Sequence, residues 1–395
     1  MKEIYLDNAA TTKPFEEVAK VVSEVMVNSY GNPSSLHQKG IDAENVIKEA
    51  SEYFAKMLGC LKEEIIYTSG GTESNNTAII GTAMAYKRYG NKVIVSSIEH
   101  PSVKEVYKYL EEQGFEVVTL NVDNKGYVDL EQLKEEINED TILASIMHVN
   151  NELGTIQPLE TIGEIIKNKN SKAMFHVDAV QSFAKLPINV RKANIDLLSC
   201  SAHKFHGPRG IGILYKNKNT RITNLIYGGG QQANLRSGTE NVPGIAGMLT
   251  AAKKCNDNIK QDDSHILECK TYLANQILTN LEDTWINGPD IEEAAPYILN
   301  IGFKDVRSEV LLHTLESNGI YVSSGSACST HKKEKQGVLV AIGNSSDKLD
   351  NAIRFSFSYE TSIEDLEFVV KVLKDNVPML RKFVPGGRRK WKMYT

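Results

Sequence analysis

The sequence predicts an α/β fold, with a three-layer domain on a mainly parallel sheet and a smaller α+β domain beside it. Three observations carry this. Short apolar runs rich in β-branched residues recur through the first half of the chain. Longer amphipathic stretches separate them, as in strand–helix–strand units. Several runs are apolar at consecutive positions, as strands covered on both faces require.

Taken in order, the runs 63–69, 91–97, 115–121, 141–150, 172–179, 196–202 and 210–216 read as strands. Helical patterns lie between them over Glu73–Tyr89, Val103–Gln113, Leu130–Asn138 and Leu159–Lys167. The character changes after Pro243. Ile245–Asp257 and His265–Leu281 read as two long helices, followed by a strand over 296–303, a helix over Arg307–Asn318, strands over 319–325 and 352–358, and a last helix over Ile363–Met379. This places a large domain over 15–257 and a small one over 258–395, with residues 1–14 joining the small one.

Composition narrows the function. Hydrophobic residues make up 41% and charged residues 24%, a globular balance that excludes wholesale disorder. The net charge of −5 argues against a nucleic-acid protein. No apolar run approaches the roughly 18–20 residues that cross a bilayer, and the N-terminus does not read as a secretory signal. The five cysteines, Cys60, Cys200, Cys255, Cys269 and Cys328, are scattered without C-x-x-C spacing. Neither a disulfide framework nor a metal cage is expected, and a reducing cytoplasmic compartment fits.

Three segments point to chemistry. In SCSAHKFHGPRGIG (199–212), Lys204 follows an apolar strand between His203 and His206. A lysine amine attacks carbonyls once burial lowers its pKa, although a lone loop lysine reads equally as a surface residue. FHVDAVQS (175–182) ends a strand on Asp178, which is either a helix cap or the partner of a ring nitrogen that must stay protonated. TSGGTESNNTAI (68–79) turns at Gly70 and Gly71 into a helix opened by Thr72, either an ordinary capped helix or a phosphate cradle. No P-loop lysine follows these glycines. Together they form an amine, an acid and an anion cradle at successive strand ends, where α/β active sites lie.

From YLDNAATT (5–12) through YGNPSSLH (30–37), SGGTESNN (69–76), IEHPSV (98–103), NNELGTIQP (150–158), HVDAVQS (176–182), SAHKFHGPRGIG (201–212), GGGQQANLRSGTEN (228–241), SSGSACS (323–329) and RFSFS (354–358), the chain resembles the cysteine desulfurases. These are fold-type I pyridoxal-phosphate enzymes of the class V aminotransferase group. The resemblance spans essentially the whole chain in order and is of the long-loop type. It implies pyridoxal 5′-phosphate as cofactor and no metal. Lys204 would carry the cofactor, Asp178 pair with its ring nitrogen, Gln181 donate to its phenolate oxygen, and His100 stack on its face as an acid or base. Gly71 and Thr72, with Ser201 and His203, would hold the phosphate, and Thr239 would reach the phosphate of a second subunit in a homodimer. Asn150 and Arg354, with Asn32 nearby, would bind the substrate carboxylate, a task suited to a forked guanidinium.

Cys328 lies among small and polar residues ahead of His331-Lys332-Lys333, a setting that favours an exposed thiolate. The resemblance makes it the acceptor of sulfur from L-cysteine, leaving L-alanine and a persulfide for an iron–sulfur scaffold or another sulfur carrier. The other four thiols read as structural. The chain departs from the commoner pattern at Gln232-Ala233-Asn234 and at Lys335-Gln336-Gly337. An aminotransferase or decarboxylase, a non-catalytic cofactor-binding protein and a selenocysteine lyase are the rival readings. The basic tail 381–395 is either a docking segment or a solvated terminus.

Overall fold

The computed structural model describes residues 2–324 and 337–383, with the backbone alone at 258–263 and 383. In chain order it comprises β1 (Ile4–Tyr5), α1 (Glu16–Asn28), α2 (Gln38–Leu58), β2 (Ile65–Thr68), α3 (Gly71–Tyr86), β3 (Lys92–Ser96), α4 (Pro101–Glu112), β4 (Glu116–Leu120), α5 (Leu130–Glu136), β5 (Thr141–Ser145), α6 (Leu159–Lys169), β6 (Met174–Asp178), β7 (Leu197–Ser201) and β8 (Gly212–Lys216). Then follow α7 (Val242–Asn280), β9 (Thr284–Ile286), β10 (Ile298–Phe303), α8 (Ser308–Glu316), β11 (Ile320–Tyr321), β12 (Ser323–Ser324), α9 (Val338–Ala341), β13 (Ala352–Ser356) and α10 (Ile363–Leu380).

Seven strands form the main sheet in the order β2-β8-β7-β6-β5-β3-β4. All neighbours run parallel except β8, which is antiparallel to β2 and β7. The consecutive apolar runs have the predicted cause, since successive residues feed opposite faces. Ile65, Tyr67, Ile94, Phe175, Val177 and Leu198 enter one apolar cluster, while Ile66, Val93, Val95, Leu143 and Leu197 enter the other. A second sheet of order β12-β13-β10-β9 carries its own core, including Leu299, Ile301, Phe303, Ile353 and Phe355.

Three sequence expectations change. The two helices expected on either side of residue 258 are one helix, α7, of 39 residues. The stretch Asn256–Ser264 lost its apolar period, yet the helix continues through it. The strand expected over 319–325 is two: β11 pairs with β1, and β12 pairs with β13. The run 141–150 leaves the sheet at Ser145, and Ile146, Met147 and Val149 are buried in a loop instead. α1 and α2 lie outside the strand–helix alternation read from the sequence. α2 stops where Gly59 adopts φ 71°, a left-handed cap that glycine reaches without steric cost.

The N-terminal segment crosses between the two sheets. Its β1 pairs with β11, and Asp7 bridges to Ser356 at the end of β13. Thr12 then donates both its amide and its hydroxyl to the His203 carbonyl beyond β7. Residues 5–12 thus form a strap over the carboxyl ends of the main-sheet strands.

Candidate active site

The carboxyl ends of β2, β3, β5, β6 and β7 converge beneath this strap, and each delivers one predicted segment. β6 ends on Asp178, which is 4% exposed. Its Oδ1 accepts from the Val180 amide at 2.9 Å, and its Oδ2 accepts from Asn75 Nδ2 at 2.8 Å. β7 ends on Ser201 and runs through a single 3-10 turn, Ala202–Lys204, that presents Lys204. Lys204 Nζ donates to the carbonyls of Ala9 and Ala10 on the strap, each at 2.7 Å. β3 leads into Glu99 and His100, the latter capping α4, whose first residue is Pro101.

The anion cradle follows from β2 turning into α3. Gly70 gives no side-chain cap, so the first amides of α3 face the site. A Cβ on Gly71 would lie 2.7 Å from Val180 Cγ2, so any larger residue there would have to displace the Val180 side chain on the loop after Asp178. Thr72 is exposed beside it, and Ser201 is buried below. Glu73 is turned aside, its carboxylate taken by Arg236 at 2.8 Å and by the Ser69 amide at 2.9 Å.

Electrostatics sort the titratable groups. Burial, aided by the charges of Lys204, Arg209 and Lys185, pushes His203 down to about 4. Burial likewise holds His100 below its ordinary value, with Lys204 and Lys104 in support and Asp178 opposing. Burial pushes Glu99 up to about 8 and Glu152 up to about 7. Sequence reasoning assigned neither glutamate. Glu99 lies next to His100 in the quoted IEHPSV segment, and its signal is a carboxylate inside a buried turn.

On the other side stands Arg354 of β13, 6% exposed. Nη2 meets Asp7 Oδ1 at 2.7 Å and Nη1 meets the Asn151 carbonyl at 2.9 Å. Asp7, also missed from sequence, thereby ties the strap to the guanidinium. Asn150 is fully buried: Nδ2 donates to the Ile98 carbonyl at 3.0 Å and contacts Met147 Sδ at 3.5 Å, and Oδ1 accepts the amides of Glu152 and Leu153. It braces its loop. Gln181 donates Nε2 to the Ala9 carbonyl at 2.8 Å. Asn32 is exposed and accepts the Ser34 amide in a local turn, and Thr239 is exposed on the loop before α7. The hydrogen bond of Asn32 stays within its own turn. Cys328 and the tail beyond residue 383 lie outside the described residues.

The site holds hydrogen-bonding capacity that a bound ligand would meet. Buried polar atoms without a protein partner include Asn75 Oδ1, Glu99 Oε2, His148 Nδ1, Gln181 Oε1 and Arg354 Nε, all on residues of this region. Such atoms are costly unless a ligand or water meets them. A separate cavity of about 60 Å³ behind Lys204 is walled by Phe15, Phe205, Tyr297 and Phe357, and neither Asp178 nor His100 reaches it. Among the described residues no cluster of metal-ligating side chains occurs, and no helix is long and apolar enough to cross a membrane.

Comparison with known proteins agrees with this geometry. Residues 4–369 match the aminotransferase class-V family. The chain is 41% identical over 392 residues to a protein named cysteine desulfurase IscS from Dictyoglomus turgidum, covering 99% of this chain and 98% of the relative. It is also 41% identical over 384 residues to a cysteine desulfurase IscS from Methanosarcina thermophila, covering 97% and 94%. Among solved structures, a NifS-like protein superposes with a TM-score of 0.90 at 37% identity, over 96% of this chain and all of that one. Another, described as SspA in complex with cysteine, gives 0.80 at 34% identity over 91% of this chain.

Proposed function

The chain belongs to the aminotransferase class-V family and works as a cysteine desulfurase, and from that premise we propose how its own residues divide the reaction. The observation that carries the proposal is the meeting of Lys204, Asp178 and the open start of α3 at adjacent strand ends. The partnerless buried atoms suit bound pyridoxal 5′-phosphate. Once bound, that group would supply an electron sink for the substrate's Cα.

Lys204 would hold the cofactor and move the Cα proton. Asp178 would face the ring nitrogen, with Asn75 and the Val180 amide fixing its carboxylate. Gly71, Thr72, Ser201 and His203 would hold the phosphate, and His203, kept neutral by burial, adds no charge of its own. Gln181 and His100 would contact the ring. Arg354, oriented by Asp7, would offer its remaining N–H groups, including the partnerless Nε, to the substrate carboxylate. Asn150 would hold the loop that receives it.

Cys328 would take the sulfur. The substrate C–S bond breaks, an S–S bond forms on Cys328, and the carbon skeleton keeps the electron pair, gains a proton and leaves as L-alanine. The described thiols are poor rivals. Burial pushes Cys60 up to about 12, Cys269 up to about 11, and Cys200 higher still, so none of these three supplies a thiolate near neutral pH.

We further propose a large domain over 15–257, with 1–14 and 258–395 forming the small one, supported by their separate apolar cores. A cytoplasmic homodimer follows the same reading. The end of α1 and its connection to α2 expose Val27, Tyr30 and Leu36, the last at 97%, beside Asn32. By the family resemblance, Thr239 would reach the phosphate of the second copy. The sulfur acceptor is an iron–sulfur scaffold or another carrier protein.

Incubation with L-cysteine and a reductant tests the core of this. Alanine and sulfide are expected in equal amounts. The Cys328→Ser variant should keep the cofactor absorbance and lose sulfide release by about 100-fold or more. Full activity in that variant rejects the role of Cys328.

A further inference from the structure

Asn75, Ser102 and His100 form a chain of hydrogen bonds that begins on Asp178. Asn75 Nδ2 lies 2.8 Å from Asp178 Oδ2 and 2.9 Å from Ser102 Oγ. Ser102 Oγ lies 2.8 Å from His100 Nδ1, and the Ser102 amide reaches the same nitrogen at 3.1 Å. Each hydrogen in this chain can be placed. An amide nitrogen has two hydrogens and accepts none. One goes to Asp178 and the other to Ser102 Oγ. Having accepted, the Ser102 hydroxyl has its own hydrogen left for His100. The backbone amide can only donate. Nδ1 of His100 therefore receives two donors and carries no hydrogen of its own, which leaves the ring hydrogen on Nε2.

We propose that Asn75 and Ser102 are positioning residues that lock His100 as the Nε2–H tautomer, so that the ring meets bound substrate or cofactor as a hydrogen-bond donor. The inference deepens the reading of His100 as a site residue and rests on it. The bridge also opposes ring protonation, because an imidazolium would turn an N–H toward two existing donors. Asp178 faces the ring from β6 and favours its charge. Lys204, beyond β7, and Lys104, on α4 itself, oppose it, and burial opposes it most. The strand-end acid and the ring are thus linked through two side chains that carry no charge. Neither Asn75 nor Ser102 drew attention in the sequence, where both sit inside quoted segments as ordinary helix-start residues.

The test is ¹⁵N-histidine NMR on the full-length protein, which reads the tautomer and titration of His100 directly. The wild type should show Nε2–H and a bare Nδ1 throughout neutral pH. Ser102→Ala should move part of the population to Nδ1–H and raise the ring's proton affinity by roughly 3- to 10-fold, the size of one hydrogen bond. Ser102→Thr, which keeps the hydroxyl, should restore the wild-type spectrum. Asn75→Ala should shift the ring in the same direction by less, since the Ser102 hydroxyl remains. If Ser102→Ala does not fold, Ser102→Cys, a weaker donor of similar size, gives the same reading. A wild-type ring protonated at Nδ1, or Ser102 variants with unchanged tautomer and titration, overturns the proposal. These spectra do not depend on L-cysteine turnover, so a failed desulfurase assay and a failed tautomer assignment remain distinguishable.

Discussion

Asp178 and Arg354 stand on two sides of one site, and the chain holds them by different means. Asp178 ends a central strand, and its partners Val180 and Asn75 come from the adjoining loop and from α3. Arg354 is held by Asp7, 347 residues away along the chain, and by the carbonyl of Asn151. The floor is thus a product of strand-to-helix turns that repeat along the sheet. The rim depends on a strap whose partners lie more than 300 residues further along the chain. The floor is gathered by the strand ends of one sheet, whereas the rim is set by contacts that join the N-terminal segment to β13.

Arg354→Ala should break the comparison most sharply. It removes one half of a mostly buried ion pair, which costs about 3 kcal/mol in urea unfolding. The KM for L-cysteine should rise roughly 100-fold, as for a lost buried charge partner. Cofactor absorbance should stay intact, because the floor does not use this residue. Loss of the absorbance would show that floor and rim are one unit.

A smaller effect separates the two by pH. Burial holds His148, His203 and His206 near about 4 and His176 near about 3. Their unfolded values are about 6.5, so the unfolded chain binds more protons between about pH 6.5 and 4, and stability falls as pH drops through that window. Glu99 and Glu152, raised to about 8 and about 7, act with the opposite sign. The folded chain binds their protons above about pH 4.5, so their contribution is lost as pH rises toward those values. With His100, also held down by burial, five histidines against two glutamates leave net acid sensitivity below pH 6.5. Glu99→Gln should gain roughly 1 kcal/mol or more over the parent on going from pH 5 to pH 8 in urea titrations. An unchanged difference would mean that Glu99 is ionised in the fold.

The smallest expected change is at the strap. Ser356 Oγ accepts the Ala9 amide at 2.8 Å and donates to the Leu6 carbonyl at 3.2 Å. Ser356→Ala should cost about 1 kcal/mol and loosen the strap where Ala9 receives Lys204 and Gln181. A near-zero cost would mean that β1 and the Asp7–Arg354 pair hold the strap without it.

The same division sets what was legible in the sequence. Strands β2, β3 and β5 to β8 announced themselves because both faces are covered, and the ends of β6 and β7 carried Asp178 and Lys204 in readable turns. Arg354 and Asn150 entered only through resemblance, since nothing in a strand arginine or a turn asparagine reveals its partner. Asp7 was quoted in a segment without a role, because its role exists only once β13 lies beside it. The break expected near residue 258 came from a polar stretch of α7, where propensity carries a helix that apolar periodicity does not mark.

That unbroken α7 has a mechanical consequence. Its 39 residues span about 58 Å, and its two ends are embedded in different cores. Ala251 and Ala252 pack in one, and Leu273 and Ile277 in the other. The helix behaves as a keel. A hinge at residue 258 would have to bend a continuous rod of hydrogen bonds, so large swings of one core against the other are resisted there. The spacing between the two cores is therefore set along this one helix.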